Sequence, residues 1–177
     1  MGQTMKVLVL LGLVVLMGGA VKVAQDTRGS VTIGALPTLA KEAEQTCTPG
    51  DQDQYVNRPE RLQLLRPCLR VTGTVDYLHI ENDGDVHIRA RLDPPYQSLL
   101  VDGNNKVEGG DLVVEPVCYA LPLQADVMRL CASDPDRISS IPQLGDHIWM
   151  EGRYVLDIGH TSFAELHPLY RWGKASN

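Results

Sequence analysis

The stretch Leu69–Leu92, LRVTGTVDYLHIENDGDVHIRARL, decides the fold. Its first half sets Val71, Gly73, Val75 and Tyr77 on one face and mostly polar residues on the other. β-Branched residues dominate, so it reads as a strand. Asp83-Gly84 supplies the positive φ that a tight hairpin needs. VHIRARL then alternates again, with Val86, Ile88, Ala90 and Leu92 inward and His87, Arg89 and Arg91 outward.

Working outward, DPPY ends the second strand and a loop containing DGNNKVEGG leads to a third, DLVVEPVC. In LQADVMRLCA, Leu123, Val127, Leu130 and Cys131 recur at helical spacing. DHIWMEGRYVLD is a fourth strand with Ile148, Met150, Tyr154 and Leu156 on one side, and FAELHPLY is a fifth. Five strands with one helix between the third and fourth is the order of the OB-fold, a Greek-key barrel of mainly β structure. Gly73 and Gly152 lie inside strands, where such a barrel bends. The helix is expected to plug the open end. Pro168 is expected to end the fifth strand or place it at an edge.

Residues 47–172 form this domain, with 173–177 as a tail. Ahead of it, CTPGDQDQYVNRPERLQLLRPC is Pro-punctuated and reads as a loop, and 21–46 reads as a linker. The first 20 residues carry Lys6 and begin an apolar run of about 15 residues, short of the ~20 that span a bilayer as a helix. Small residues follow at Gly18-Gly19-Ala20. This is the pattern of an export signal, with an uncleaved N-terminal anchor as the alternative. It predicts a secreted or extracytoplasmic chain, touching membrane only through that segment. Four cysteines behind such a signal read as two disulfides, and four admit three connectivities. Short-loop closure favours Cys47–Cys68 and Cys118–Cys131.

The net charge is −6. From Cys68 onward there are nine Lys and Arg against sixteen Asp and Glu. An acidic domain repels a phosphate backbone in the far field, which argues against a nucleic-acid partner.

CLRVTGTV, DGDVHI, GDLVVEPVC and YVLDIGHTSFAELHP together resemble a family of uncharacterised exported proteins of archaea and bacteria. The likeness covers about residues 47–170 and includes the placement of the four cysteines. The family's last motif runs Asp, two residues, His, two residues of which the second is usually Gly, Trp, one residue, Glu, Ile or Leu, His, Pro. Here Phe163 stands at the Trp position and Ser162-Phe163 replaces Gly-Trp. The resemblance implies export and an OB-like domain, and it implies no activity.

Two constellations carry chemistry. Asp157, His160, Glu165 and His167 crowd into eleven residues, and two His with carboxylates suit a divalent metal. Glu165 and His167 share a strand face with Phe163, while Ala164 and Leu166 point into the core. Asp85 and His87 form a second acid-x-His pair. The structural alternative is a polar network, with His160 capping a turn, Glu165 bonded across strands and His167 held by a carbonyl. The second constellation is an outward face of His87, Arg89, Arg91 and Trp149, with Phe163, suited to stacking on a base or sugar. The run NDGDVHIRAR is also similar to the staphylococcal-nuclease variant of the OB-fold, which uses carboxylates on calcium and two arginines on a phosphate. Only Asp111 and Glu115 follow in the third strand, without that variant's pattern. No P-loop, dinucleotide fingerprint, nucleophile elbow or H-E-x-x-H occurs. The expectation is a non-enzymatic binding module without a cofactor, its ligand an oligomer, a peptide or a partner protein. The alternative is a metal-dependent, nuclease-like hydrolase using the Asp157/His160/Glu165/His167 cluster.

Overall fold

In the computed structural model, which describes residues 48–135 and 137–176, the expected hairpin is part of a five-stranded sheet. The elements run β1 (Leu62–Ile80), β2 (Val86–Leu92), α1 (Asp102–Val107), β3 (Leu112–Val114), α2 (Ala125–Cys131), β4 (His147–Asp157) and β5 (Phe163–Lys174). Short 3₁₀ turns cover Asp51–Tyr55, Pro59–Arg61 and Pro94–Leu99. The sheet closes in a ring of order β1-β2-β3-β5-β4, with β4 bonded back to β1. All pairings are antiparallel except β3 with β5.

The main core fills the ring. Leu69, Val71 and Val75 of β1 meet Val86, Ile88, Ala90 and Leu92 of β2 and Ile148, Met150 and Tyr154 of β4. Alternation in β2 is therefore as read. In β1 it fails at one point. Val75 pairs with Ala90 but Tyr77 pairs with Arg89, so Asp76 is an extra residue. A bulge of one residue inverts the faces beyond it. Tyr77 is consequently exposed, and Leu78 packs on the core instead.

Other boundaries also differ from the sequence reading. Residues 62–68, expected in a loop, are the start of β1 and pair with β4. The expected loop after β2 contains the 3₁₀ turn and α1. There the fully buried Asn104 bonds the Asp111 carbonyl and both backbone groups of Ala164, tying α1 to β5. β5 does not stop at Pro168. It continues through the cis His167–Pro168 peptide to Lys174, into the expected tail. Leu166 and Leu169 oppose Tyr154 and Gly152, so β5 carries an extra residue there. A bulge needs no ladder donor from proline.

Val127 and Cys131 of α2 are buried, but Leu123 precedes the helix and is 78% exposed. The helix packs into a second cluster with Tyr55, Val56, Leu62, Val117, Cys118 and Val155. Val155 alternates with Tyr154 on β4, so this cluster lies on the other side of the sheet from the main core. The helix thus braces the wall and contributes nothing to the ring interior. The Cys118–Cys131 disulfide is present within it, with Cα atoms 5.3 Å apart. The expected partner of Cys68, Cys47, lies outside the described residues, as do the signal segment and linker. No helix among the described residues is long and apolar enough to cross a membrane.

Candidate functional site: an acid–imidazole cleft

A cleft of about 380 Å³ opens where the tip of the β1–β2 hairpin, the end of α1, the 59–61 turn and the β4–β5 turn meet. Its walls include Arg58, Arg61, Glu81, Asp83, His87, Glu108, Glu115, Asp157, His160 and Phe163. Its lining comes from well-separated segments of chain.

Alternation places His87 on the face opposite Val86 and Ile88, towards the cleft. Its two ring nitrogens lie 3.0 Å from Glu115 Oε1 and 3.0 Å from Glu108 Oε2. Ionised carboxylates only accept, so the imidazolium form satisfies both contacts. Burial would lower the His87 pKa, but Glu115 and Glu108 outweigh it and lift it to about 9. Glu115 directly follows β3 and stays bonded to β5 through its backbone, donating to Leu166 and accepting from Leu169. Its second oxygen lies 2.7 Å from His167 Nδ1. Burial would raise Glu115, but His167 and His87 hold it below the usual carboxylate range.

His167 is fully buried. The β5 bulge falls at this residue, and bulges commonly re-aim a side chain beside a site. Its Nε2 has no hydrogen-bond partner and faces Asp85 Oδ2 at 3.8 Å. Asp85 is itself buried and accepts the Cys118 N–H at 2.8 Å. Burial pushes Asp85 up to about 8 against the pull of His167. Glu165 Oε1 is 3.3 Å from His167 Nδ1, and Glu165 Oε2 has no hydrogen-bond partner. Burial and then Glu115 raise Glu165 to about 7, against His167 and Arg61. Burial opposes the charged His167, yet Glu115 and Glu165 hold its pKa well above the ordinary value. A continuous chain results: Glu108, His87, Glu115, His167, Asp85, with acids and imidazoles alternating.

The four residues expected to form one metal site do not converge. Asp157 pairs with His160 at 2.8 Å and with Arg61, and Arg61 reaches Glu165 at 3.9 Å. The guanidinium stands between the Asp157/His160 pair and the Glu165/His167 pair, so no single ion meets all four. Among the described residues, the trios with ligand atoms all within 4.8 Å are Glu81, His87 and Glu115, and Asp85, Glu115 and His167. The face shared by Phe163, Glu165 and His167 is as expected, but it is buried, and a carboxylate holds His167 in place of a carbonyl.

The expected outward platform also divides. His87 and Phe163 line the cleft, with Phe163 stacked on His160 at 6.1 Å. Arg89 lies over Tyr77 at 4.3 Å, and Arg91 is exposed beside it on the strand. Trp149 pairs with Thr72, five positions along β1 from Tyr77, or ~16 Å at strand rise. One ring face carries Arg70 at 4.4 Å, and Gly173 lies against the indole. Trp149 thus does not join the arginines in one stacking surface.

Arg61, Glu81 and Glu108 escaped the sequence reading. Glu115 carried a signal, a charge inside the apolar run LVVEPV. Arg61 and Glu108 carried none, because loops and turns bring them in. No protein-family model matches the chain, and no curated protein is similar to it at a significant level.

Proposed function

We propose that this chain is an exported, non-enzymatic OB-fold-like binding module whose ligand enters the acid–imidazole cleft through a cationic group. The strand order 1-2-3-5-4, with the helix between β3 and β4, supports the OB reading. The Cys118–Cys131 disulfide supports an oxidising compartment outside the cytoplasm.

One observation carries the choice of ligand. Glu81, Asp83, Glu108, Glu115 and Asp157 line the cleft beside Arg58, Arg61, His87 and His160, and Arg61 is already bound to Asp157. Carboxylates outnumber their internal partners, so the seat complements positive charge. Phe163 stacked on His160 adds an aromatic wall.

The test is calorimetric titration of chelator-treated protein with a tri-lysine and a tri-glutamate peptide. Saturable binding of tri-lysine alone is expected, weakened tenfold or more by Glu81→Gln with Glu108→Gln. Equal binding of both peptides, or no change in the double variant, would overturn the reading. A second reading, a metal-dependent hydrolase, is favoured by the His and carboxylate groups at ligand spacing. It requires the trios around Glu115 in place of the Asp157/His160/Glu165/His167 set.

A further inference from the structure

We propose that the cleft takes a small organic zwitterion, an amino-acid-like molecule whose ammonium group sits against Glu81 and Asp83 and whose carboxylate is taken by Arg58. This inference deepens the reading of the cleft as a seat for a cationic group and rests on it.

Opposite charges line this cleft without fully neutralising one another. Three of its acids are matched from within: Glu108 by His87, Glu115 by His87 and His167, and Asp157 by Arg61. The two at the hairpin tip are not. The Glu81 carboxylate has one contact with a cation, at 4.0 Å from His87 Nδ1. Among the described residues, Asp83 accepts only neutral N–H groups, from the Asn57 side chain at 3.4 Å and the Asp85 backbone at 3.3 Å. The exposed Arg58 side chain has no ion pair or hydrogen bond among the described residues. A free guanidinium in a cleft with unmatched carboxylates leaves both poles to a ligand. Its planar fork matches a carboxylate. One arginine among acids also suits a singly charged carboxylate better than a dianionic phosphate.

The backbone at Arg58 supports the same assignment. Its φ of 51° and ψ of 60° are left-handed, a region few residues other than glycine adopt. It also precedes Pro59, and proline drives the residue before it to extended backbone. Strain of this kind persists only where the surroundings fix it, and it gathers at ligand clamps. Here Asn57 is tied to Asp83, the Arg58 carbonyl accepts the Arg61 N–H at 3.3 Å, and the Arg61 side chain is bound to Asp157. The turn thus carries Arg58 to the cleft on a braced backbone. At about 380 Å³ the cleft is of small-molecule size. Phe163 and Val107 add apolar wall, which suits the methylenes of an organic ligand.

The test is calorimetric titration of the full-length protein with straight-chain ω-amino acids of four, six and eight carbons, each beside its amide. Acid and amide share one ammonium and differ only in the carboxylate. At least one acid is expected to bind tenfold or more tighter than its amide. Arg58→Gln should erase that preference and Arg58→Lys should keep part of it, with amide binding unchanged in both. Arg58 is exposed, and both replacements keep a straight side chain there, so the variants fold. No acid preferred over its amide, a preference surviving in Arg58→Gln, or loss of amide binding in that variant would each overturn the proposal. If tri-lysine and the amides bind but no acid is preferred, the cleft reading survives and the zwitterion falls. If none of them binds, both fall.

Discussion

Asp111 is buried just ahead of β3, hydrogen-bonded to Asp76, with Arg89 and Arg91 nearby. Burial and the Asp76 carboxyl lift its pKa to about 6, against the pull of the two arginines. A raised carboxyl pKa binds its proton more tightly in the folded chain than in the unfolded one. Its contribution is therefore full at low pH and is lost as pH rises from about 4 towards 6. Relative to Asp111→Asn, the wild type should lose stability across that window in urea titrations, and a constant gap between the two would contradict this. The acid itself is plain in GGDLVV, but its partner is not, because only the extra residue at position 76 turns that carboxyl towards β3. Arg61 makes a similar case. It pairs with Asp157, which is fully buried. Arg61→Met should cost about 3 kcal/mol by leaving a buried carboxylate short of its main partner. Adding Asp157→Asn should recover part of this in a double-mutant cycle. Full additivity would mean that the pair is not coupled.

At the level of elements, alternation made most of the strands legible, since each has one side against the ring's core. What it could not supply is where a strand gains a residue. The bulges at Asp76 and at His167–Pro168 leave the hydrophobic pattern almost intact, yet they expose Tyr77 and turn His167 to Glu115. Pro168 marked the second bulge but was read as an end, because proline is compatible with either. The internal glycines were the better guide. A Cβ on Gly73 would lie 2.6 Å from the Arg91 carbonyl oxygen, in the backbone of the paired strand. A Cβ on Gly152 would lie 2.7 Å from the Pro168 carbonyl oxygen, beside the β5 bulge. Neither obstacle is a flexible side-chain end. Gly73→Ala should therefore destabilise by about 1–3 kcal/mol, the usual range for forced overpacking. Thermal unfolding within a degree of wild type would show that β1 and β2 separate there at no cost.

The described residues join two apolar clusters through one sheet, and this division governs how they should come apart. The succession of strands along the chain was readable because each strand announced itself locally, whereas α1 was read as part of a loop. The cleft was not readable, because it is assembled by ring closure: parallel pairing sets β3 beside β5, and only then does Glu115 fall between His87 and His167. Ring closure also separates the main core from the cluster holding α2. The ring is held by ladders on both sides of β1, β4 and β5, interrupted at their bulges. The seven-residue α2 is too short to be stable alone. It is held by Val127, by Leu130 packed alongside, and by the disulfide from Cys131 to Cys118. A bridge 13 residues apart in sequence contributes roughly 3 kcal/mol in the chain-entropy model. Its loss should fall on the segment it clips. Cys118→Ser with Cys131→Ser should abolish amide hydrogen-exchange protection in α2, while the β1–β4 and β4–β5 amides keep most of theirs. Equal loss in ladder and helix would mean that the disulfide supports the ring itself, and that the two clusters unfold as one unit.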